Sequence, residues 1–457
     1  MTQIKERALS TLCYLTCVFY LVHLFFPSVW LQMTYGMLAA ILFFYAFPLL
    51  SLVSKIVVVA LIGIGGFCFW IEGASGSTLV FSFGQNLNII SMFLFIPFIS
   101  TFLSSVGYID SMKHWVQKQE QKRRLRPDHT AFWLTSIVGL LLNFGSLAIV
   151  KRIIEGSFSS FREQRLMLVI LRGFGSCLLW SPFMVNIGLI LTIFDLSWYQ
   201  IGGFGLLMAL IYIFLFWLFY PAIQFDTDPV IKYHPVDRRK EEGETTIKPF
   251  VAFSVLLIAS CFTLDMLFNV NMVTIVTILA VLFPFLWAVV MKQVHTFFQS
   301  VIEQLFTAFT RLKQEWAIFV SAGFFAVALS ETAFGTFASE WLYRLANGSV
   351  FIVSGLIILF AVILAQVGIH PVIVLTGIGS SISPEAFGIS SAYLALVLIV
   401  SWTLSTQLSP FSGQVLLSAH LVKRPAHILI RRNIGFIFTQ WVVLTSVLYG
   451  LHAMNWL

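Results

Sequence analysis

Two short stretches limit what this chain can fold into. One reads Leu-Trp-Ser-Pro-Phe-Met-Val-Asn and ends at Asn186; the other reads Gln-Leu-Ser-Pro-Phe-Ser-Gly-Gln and ends at Gln414. Each sets Ser-Pro-Phe inside a long apolar run, at Ser181-Pro182-Phe183 and Ser409-Pro410-Phe411, and an amide side chain follows three residues after each Phe. Proline inside a helix removes a backbone hydrogen bond and crowds the preceding turn. In lipid the freed groups have no water to turn to, so such breaks survive only within protein or beside a wet cavity. Matching breaks in the two halves of a membrane chain point to a transport site at mid-depth.

A second pair of stretches repeats the pattern upstream. Asn143-Phe144-Gly145-Ser146 precedes the first break, and Gln366-Val367-Gly368-Ile369-His370-Pro371 precedes the second. Both read amide, any residue, glycine, within apolar sequence. Two motifs in the same order at similar spacing imply an internal duplication.

Composition fits this reading. Only 10% of residues are charged and 59% are hydrophobic, which excludes an ordinary soluble domain. Apolar stretches of about 20 residues, each long enough to cross the hydrocarbon core, recur along the chain. The first, from Ala8 to Phe26, is too long for a signal-peptide core and lacks a clear cleavage site, so it reads as a retained span. The net charge of +7 follows the positive-inside pattern and does not imply a nucleic-acid partner. The five cysteines lie in apolar stretches without metal-ligand spacing.

The expected fold is an all-α polytopic membrane protein of eleven spans. Residues 1–28 form an extra N-terminal span. Residues 29–221 form a first repeat, with a re-entrant hairpin at 131–156 and a broken span at 164–194. Residues 222–248, the most charged stretch, form a cytoplasmic linker. Residues 249–457 form a second, inverted repeat, with a hairpin at 350–382 and a broken span at 389–422. This plan puts the N-terminus in the cytoplasm and the C-terminus outside, and only Arg344 of the 27 Lys and Arg then falls on the outer side. Inverted repeats with opposed hairpins describe alternating access.

Two further signatures carry a family resemblance. Ser-Ser-Val-Gly107-Tyr-Ile-Asp110 stands before the first hairpin, and Ser330-Glu331-Thr332-Ala-Phe-Gly335 continues to Glu340-Trp341-Leu before the second. The latter resembles the Glu-x-Thr-Gly-x-x-x-x-Leu segment of the ion transporter superfamily, which includes divalent anion/sodium symporters, citrate carriers and arsenite efflux pumps. The resemblance covers nearly all the chain from residue 29 on. It implies an elevator-type transporter, a homodimer with a scaffold domain in each protomer and a transport domain of hairpins and broken spans. The divalent anion symporters carry Ser-Asn-Thr at both hairpin tips. Here only the amide character is kept, so the resemblance does not carry sodium coupling or a dicarboxylate over to this chain.

The candidate substrate- and ion-binding residues are Asn143, Gly145, Ser146, Gln366, Gly368 and His370 at the tips, and Ser181, Asn186, Ser409, Ser412 and Gln414 at the breaks. Half-helix N-termini can hold an anion and unwound carbonyls a cation. The alternative is that these side chains repair the backbone at a turn or kink. Arg172, inside a span, could attract an anion or reach the headgroups. Glu331 and Asp265 could carry a coupling proton, or Glu331 could cap its span.

These observations imply a secondary active transporter for a small, carboxylate-type anion in a bacterial plasma membrane. The driving gradient would be sodium or protons, with no other cofactor and no metal; the expected partners are the anion, membrane lipid and a second copy in a homodimer, with no nucleic acid. A sodium/proton antiporter or an inorganic oxyanion exporter is the alternative within transport. A membrane-embedded lipid enzyme is disfavoured, because the spans hold no nucleophile–base pair.

Overall fold

A computed structural model describes residues 3–122, 125–232, 246–268, 270–332 and 334–457. The first half opens with α1 (Gln3–Phe25), α2 (Val29–Ala46) and α3 (Leu52–Ile71). A segmented run follows: α4 (Gly76–Phe83), α5 (Leu87–Phe95), α6 (Pro97–Ser105) and the polar α7 (Tyr108–Gln121). Next come α8 (Pro127–Leu142) and α9 (Gly145–Ser157), then α10 (Glu163–Cys177), α11 (Val185–Ile193) and α12 (Trp198–Phe219). The second half holds α13 (Lys248–Leu267), α14 (Met272–Val290), α15 (Val294–Leu305), α16 (Ala308–Ser330) and α17 (Phe334–Leu345). It closes with α18 (Val350–Gln366), α19 (Pro371–Ser381), α20 (Ser391–Leu408), α21 (Gly413–Leu421) and α22 (Ala426–Ala453).

Among the described residues, ten helical segments are long and apolar enough to cross a membrane. The interrupted pair α10–α11 stands in addition to these. Lipid-type exposure accompanies the apolar composition: α2, α3 and α13 turn large side chains such as Phe44, Trp70 and Leu267 outward. The broken helices are the opposite case. Nearly every residue of α10 is buried, as are most of α11 and α20. The elements that carry the breaks therefore lie inside the protein, where unpaired backbone groups can be tolerated.

Helix–turn–helix units lie at the two amide-glycine stretches, and helix breaks lie at the two Ser-Pro-Phe segments. α8 turns into α9 at Asn143, whose φ of +49° is left-handed. α18 turns into α19 through Gly368, with φ +90°, and Pro371 takes the first helical position. Proline fits there because that N–H has no helical acceptor. Both Ser-Pro-Phe segments are non-helical, between α10 and α11 and between α20 and α21. The second half thus repeats the hairpin-then-broken-span order of the first.

Two features add to the expectation. The Gly/Ser-rich stretch after α3 folds as α4, which packs against α2 and α16. The chain is not wholly α: β1 (Ser160–Arg162) pairs antiparallel with β2 (Val230–Lys232). This ribbon ties the start of α10 to the linker. The rest of the linker expectation falls on 233–245, outside the described residues, as does Ala333 within the Glu331–Trp341 segment.

Polar side chains fix the ends of the buried helices. Asp228 accepts from the backbone N–H groups of Gln164 and Arg165 at 2.9 and 3.1 Å, capping α10 from the linker. Arg165 pairs with Asp128 at 2.9 Å and lies over the Tyr220 ring. Lys151 on α9 pairs with Glu155 at 2.7 Å and Glu163 at 3.0 Å, and donates to the Leu421 carbonyl at the end of α21 at 2.9 Å. A cation at a helix C-terminus is favoured by the dipole.

Candidate functional site

The second hairpin tip and the second break are bonded to each other. Ser409 Oγ donates to the Ala365 carbonyl, near the end of α18, at 2.6 Å, and accepts from the Phe411 N–H at 3.1 Å. Ser412 caps α21: its Oγ accepts from the Val415 N–H at 3.4 Å and donates toward the Thr406 carbonyl at 2.5 Å. On the hairpin, His370 caps α19, its Nδ1 accepting from the Val372 N–H at 3.3 Å. With Nδ1 as acceptor, a neutral ring carries its proton on Nε2. The ring packs edge-on against Trp402 and Phe319.

A cavity of about 300 Å³ lies between these elements. The tip contributes Gly368, Ile369, His370, Pro371 and Ile373; the break and its flanks contribute Ser409, Phe411, Ser412, Gly413 and Gln414. The first half reaches it through Phe144, at the tip of the α8–α9 hairpin, and Leu178, at the start of the first break. The opposite wall is the start of α3, with Val53, Ser54 and Val57, and Gln314 and Ile318 of α16. Among the described residues, no Lys, Arg, Asp or Glu lines it.

Gln414 is a buried polar group at this cavity without a hydrogen-bond partner among the described residues. The residue is 1% exposed, and neither Oε1 nor Nε2 has a hydrogen-bond partner among the described residues. A buried orphan amide costs about 1–3 kcal/mol, so its retention at a cavity wall calls for a ligand. The start of α21 adds to it. The helix supplies no acceptor for the N–H groups of Gly413 and Gln414, since the first turn of any helix leaves its donors unpaired. The start of α19, expected to offer free N–H groups, does not. Pro371 has none, Val372 donates to the His370 ring, and Ile373 donates to the His370 carbonyl at 3.0 Å.

The remaining candidates separate by position. Gly368, His370, Ser409, Ser412 and Gln414 come together on the cavity. Gln366 is exposed at the end of α18 and lies outside the lining. Asn143 and Ser146 build the first tip: Asn143 Oδ1 accepts from the Phe144 N–H at 2.8 Å, and Ser146 Oγ donates to the Asn143 carbonyl at 2.7 Å. With Gly145 they hold the turn that brings Phe144 to the cavity and do not line it themselves. Ser181 accepts from the Phe183 N–H at 3.3 Å, and Asn186 Nδ2 donates to the Leu178 carbonyl at 2.7 Å. Both repair the first break, although Asn186 Oδ1 remains unpartnered among the described residues.

Arg172 does not line the cavity and is buried within the protein. It is 2% exposed; Nε donates to Asn433 Oδ1 at 2.9 Å, Nη2 to the Arg432 carbonyl at 3.2 Å, and the guanidinium lies over Phe436. Glu331 is exposed at the end of α16, about 20 Å along the helix from Ile318. Asp265 is half-buried near the end of α13 and is also outside the lining. The sequence reading missed Gln314, Trp402 and Thr406. Trp402 and Thr406 stand one helical turn apart just before the second break, and that i, i+4 spacing is the signal that could have found them.

The fold resembles that of a solved membrane transporter, in keeping with the ten apolar helical segments among the described residues. The chain is similar to the crystal structure of the YdaH transporter of Alcanivorax borkumensis, described as having an unusual topology. The TM-score is 0.55 at 14% identity, over 83% of this chain and 88% of that one. No family model and no curated protein matches the sequence.

Proposed function

We propose that this protein is a secondary active transporter that moves a small anionic solute, of carboxylate type, through the cavity between the second hairpin tip and the second break. The observation that carries this reading is Gln414, buried and unpartnered at the wall of a cavity to which both tips and both breaks contribute. A helix N-terminus with free N–H groups and an unpaired amide suits an anion. The repeated order of hairpin and broken span supports two inverted repeats around that cavity. In this reading the hairpins and broken helices move as a transport domain against a scaffold that includes α3 and α16. The protomer pairs as a homodimer in a bacterial plasma membrane, with its N-terminus in the cytoplasm and its C-terminus outside, and the gradient used is sodium or protons. The family resemblance to the ion transporter superfamily adds to this account.

The test is uptake into proteoliposomes. Labelled mono- and dicarboxylates are offered with an inward sodium gradient, an inward proton gradient, or neither. Accumulation that depends on one gradient supports the proposal. No gradient-dependent uptake of any organic anion contradicts it.

A further inference from the structure

We infer that the solute is an amphiphilic monocarboxylate, bound with its single anionic head at Gln414 and its apolar body toward α3. This rests on the proposed function and assigns the solute class within it. Among the described residues the Gln414 amide is the buried, unpartnered side-chain donor at the cavity, with the N–H groups of Gly413 and Gln414 at the start of α21 and the His370 ring beside it. Together they supply the partial positive charge of one helix terminus and uncharged donors, which suits one anionic group. Apart from Gln314, which is exposed, the rest of the enclosure is apolar or already bonded. Trp402, Phe411, Ile318, Val53 and Val57 form its walls. Ser409 is engaged with Ala365, and Ser412 caps its own helix.

The start of α3 is another helix N-terminus at the cavity, and among the described residues no buried, unpartnered side chain accompanies it there. Ser51 and Val53 are exposed, and the Ser51 hydroxyl accepts from the Ser54 N–H. A compact dicarboxylate would leave its second charge among apolar side chains without a donor, which desolvation disfavours. An inorganic oxyanion would leave the apolar wall unfilled.

The experiment uses the full-length protein in detergent, with thermal-shift titrations of three probes. These are phenylacetate, succinate and phenylacetamide, offering one charge on an apolar body, two charges on a short chain, and the same apolar body without charge. Phenylacetate is expected to raise the melting temperature, with the other two needing at least tenfold higher concentration for the same shift. Succinate acting as well as phenylacetate would overturn this inference and leave anion transport standing. Phenylacetamide acting as well would overturn the anionic head and the proposed solute class with it. No shift from any probe would overturn the inference. Gln414→Leu should abolish the phenylacetate shift. The near-isosteric Gln414→Glu, whose own melting reports its folding, should weaken it at least tenfold by placing a like charge at the head site. A phenylacetate shift unchanged in a folded Gln414→Glu protein would refute the assignment.

Discussion

Gln407 occupies the space that a side chain at Gly175 would need. A Cβ on Gly175 would overlap the Gln407 amide and stand 2.5 Å from the Tyr212 hydroxyl. Gly175 lies in the last turn before the first break and Gln407 in the last turn before the second, so the two broken spans meet here without an intervening side chain. Gln407 Nε2 donates to Tyr212 Oη at 2.7 Å, and Asn433 Nδ2 donates to Gln407 Oε1 at 3.3 Å. Asn433 in turn accepts from Arg172. These four side chains are buried and join α10, α12, α20 and α22.

Gly175→Ala is therefore expected to destabilise the protein by about 1–3 kcal/mol, the usual cost of overpacking. Thermal melting in detergent reads this. Adding Gln407→Ala removes the clashing amide, so the double variant should lose less than the sum of the two single losses. Strict additivity would show that the contact is not shared.

Arg172 acts in this structure as a tie between α10 and α22. Arg172→Leu leaves Asn433 Oδ1 and the Arg432 carbonyl without their donor, and each charge-assisted bond is worth about 1.5–3 kcal/mol. A lowered melting temperature with unchanged solute affinity in the folded fraction is the expected result. A tenfold loss of affinity at unchanged melting would return Arg172 to the binding site.

Lys151→Met should loosen the first hairpin from the ends of α10 and α21. The carboxylates it leaves keep side-chain exposures of 25% and 19%, so the loss should fall below the about 3–5 kcal/mol of a fully buried pair. Melting of Lys151→Met beside Lys151→Met/Glu163→Gln checks the assignment. The second change should restore part of the loss.

Gln366 and His370 looked equivalent as polar residues at one hairpin tip, and their positions now separate them. Gln366→Ala should leave phenylacetate uptake near the wild-type rate, because the side chain is exposed and outside the cavity. His370→Ala removes both the α19 cap and a cavity donor, and should reduce uptake strongly. His370→Asn can keep the cap while losing the imidazole. If His370→Asn transports as the wild type does, His370 is only a cap.

The backbone of the site was legible because proline and glycine encode backbone geometry locally. Pro182 and Pro410 marked the breaks, and Gly368 and Pro371 marked the turn and the restart of the helix. The side-chain partners were not legible in this way. Val53 and Gln314 reach the cavity from segments far away in sequence, and no periodicity links them to Gln414. Asn433, the partner of Arg172, lies 261 residues along the chain. The ribbon at Phe161 and Ile231 has three-residue strands, too short for an alternating pattern to register. Amide character singled out both Asn186 and Gln414. Only the three-dimensional setting shows that Asn186 repairs its break through the Leu178 carbonyl while Gln414 is left free at the cavity.

The central claim is that the second tip moves against α3 as the cavity changes sides, and one cross-link tests it most directly. A Cβ on Gly368 would stand 3.1 Å from Val53 Cγ1, close enough for a Val53→Cys/Gly368→Cys pair to bridge. Gly368→Cys alone is the control, because φ +90° is a strained conformation for any residue with a side chain. Phenylacetate uptake into proteoliposomes is measured for the pair before oxidation, after oxidation and after reduction. The account predicts that uptake stops when the bridge forms and returns when it is reduced. Uptake at the unbridged rate in fully cross-linked protein would show that this tip does not move for transport.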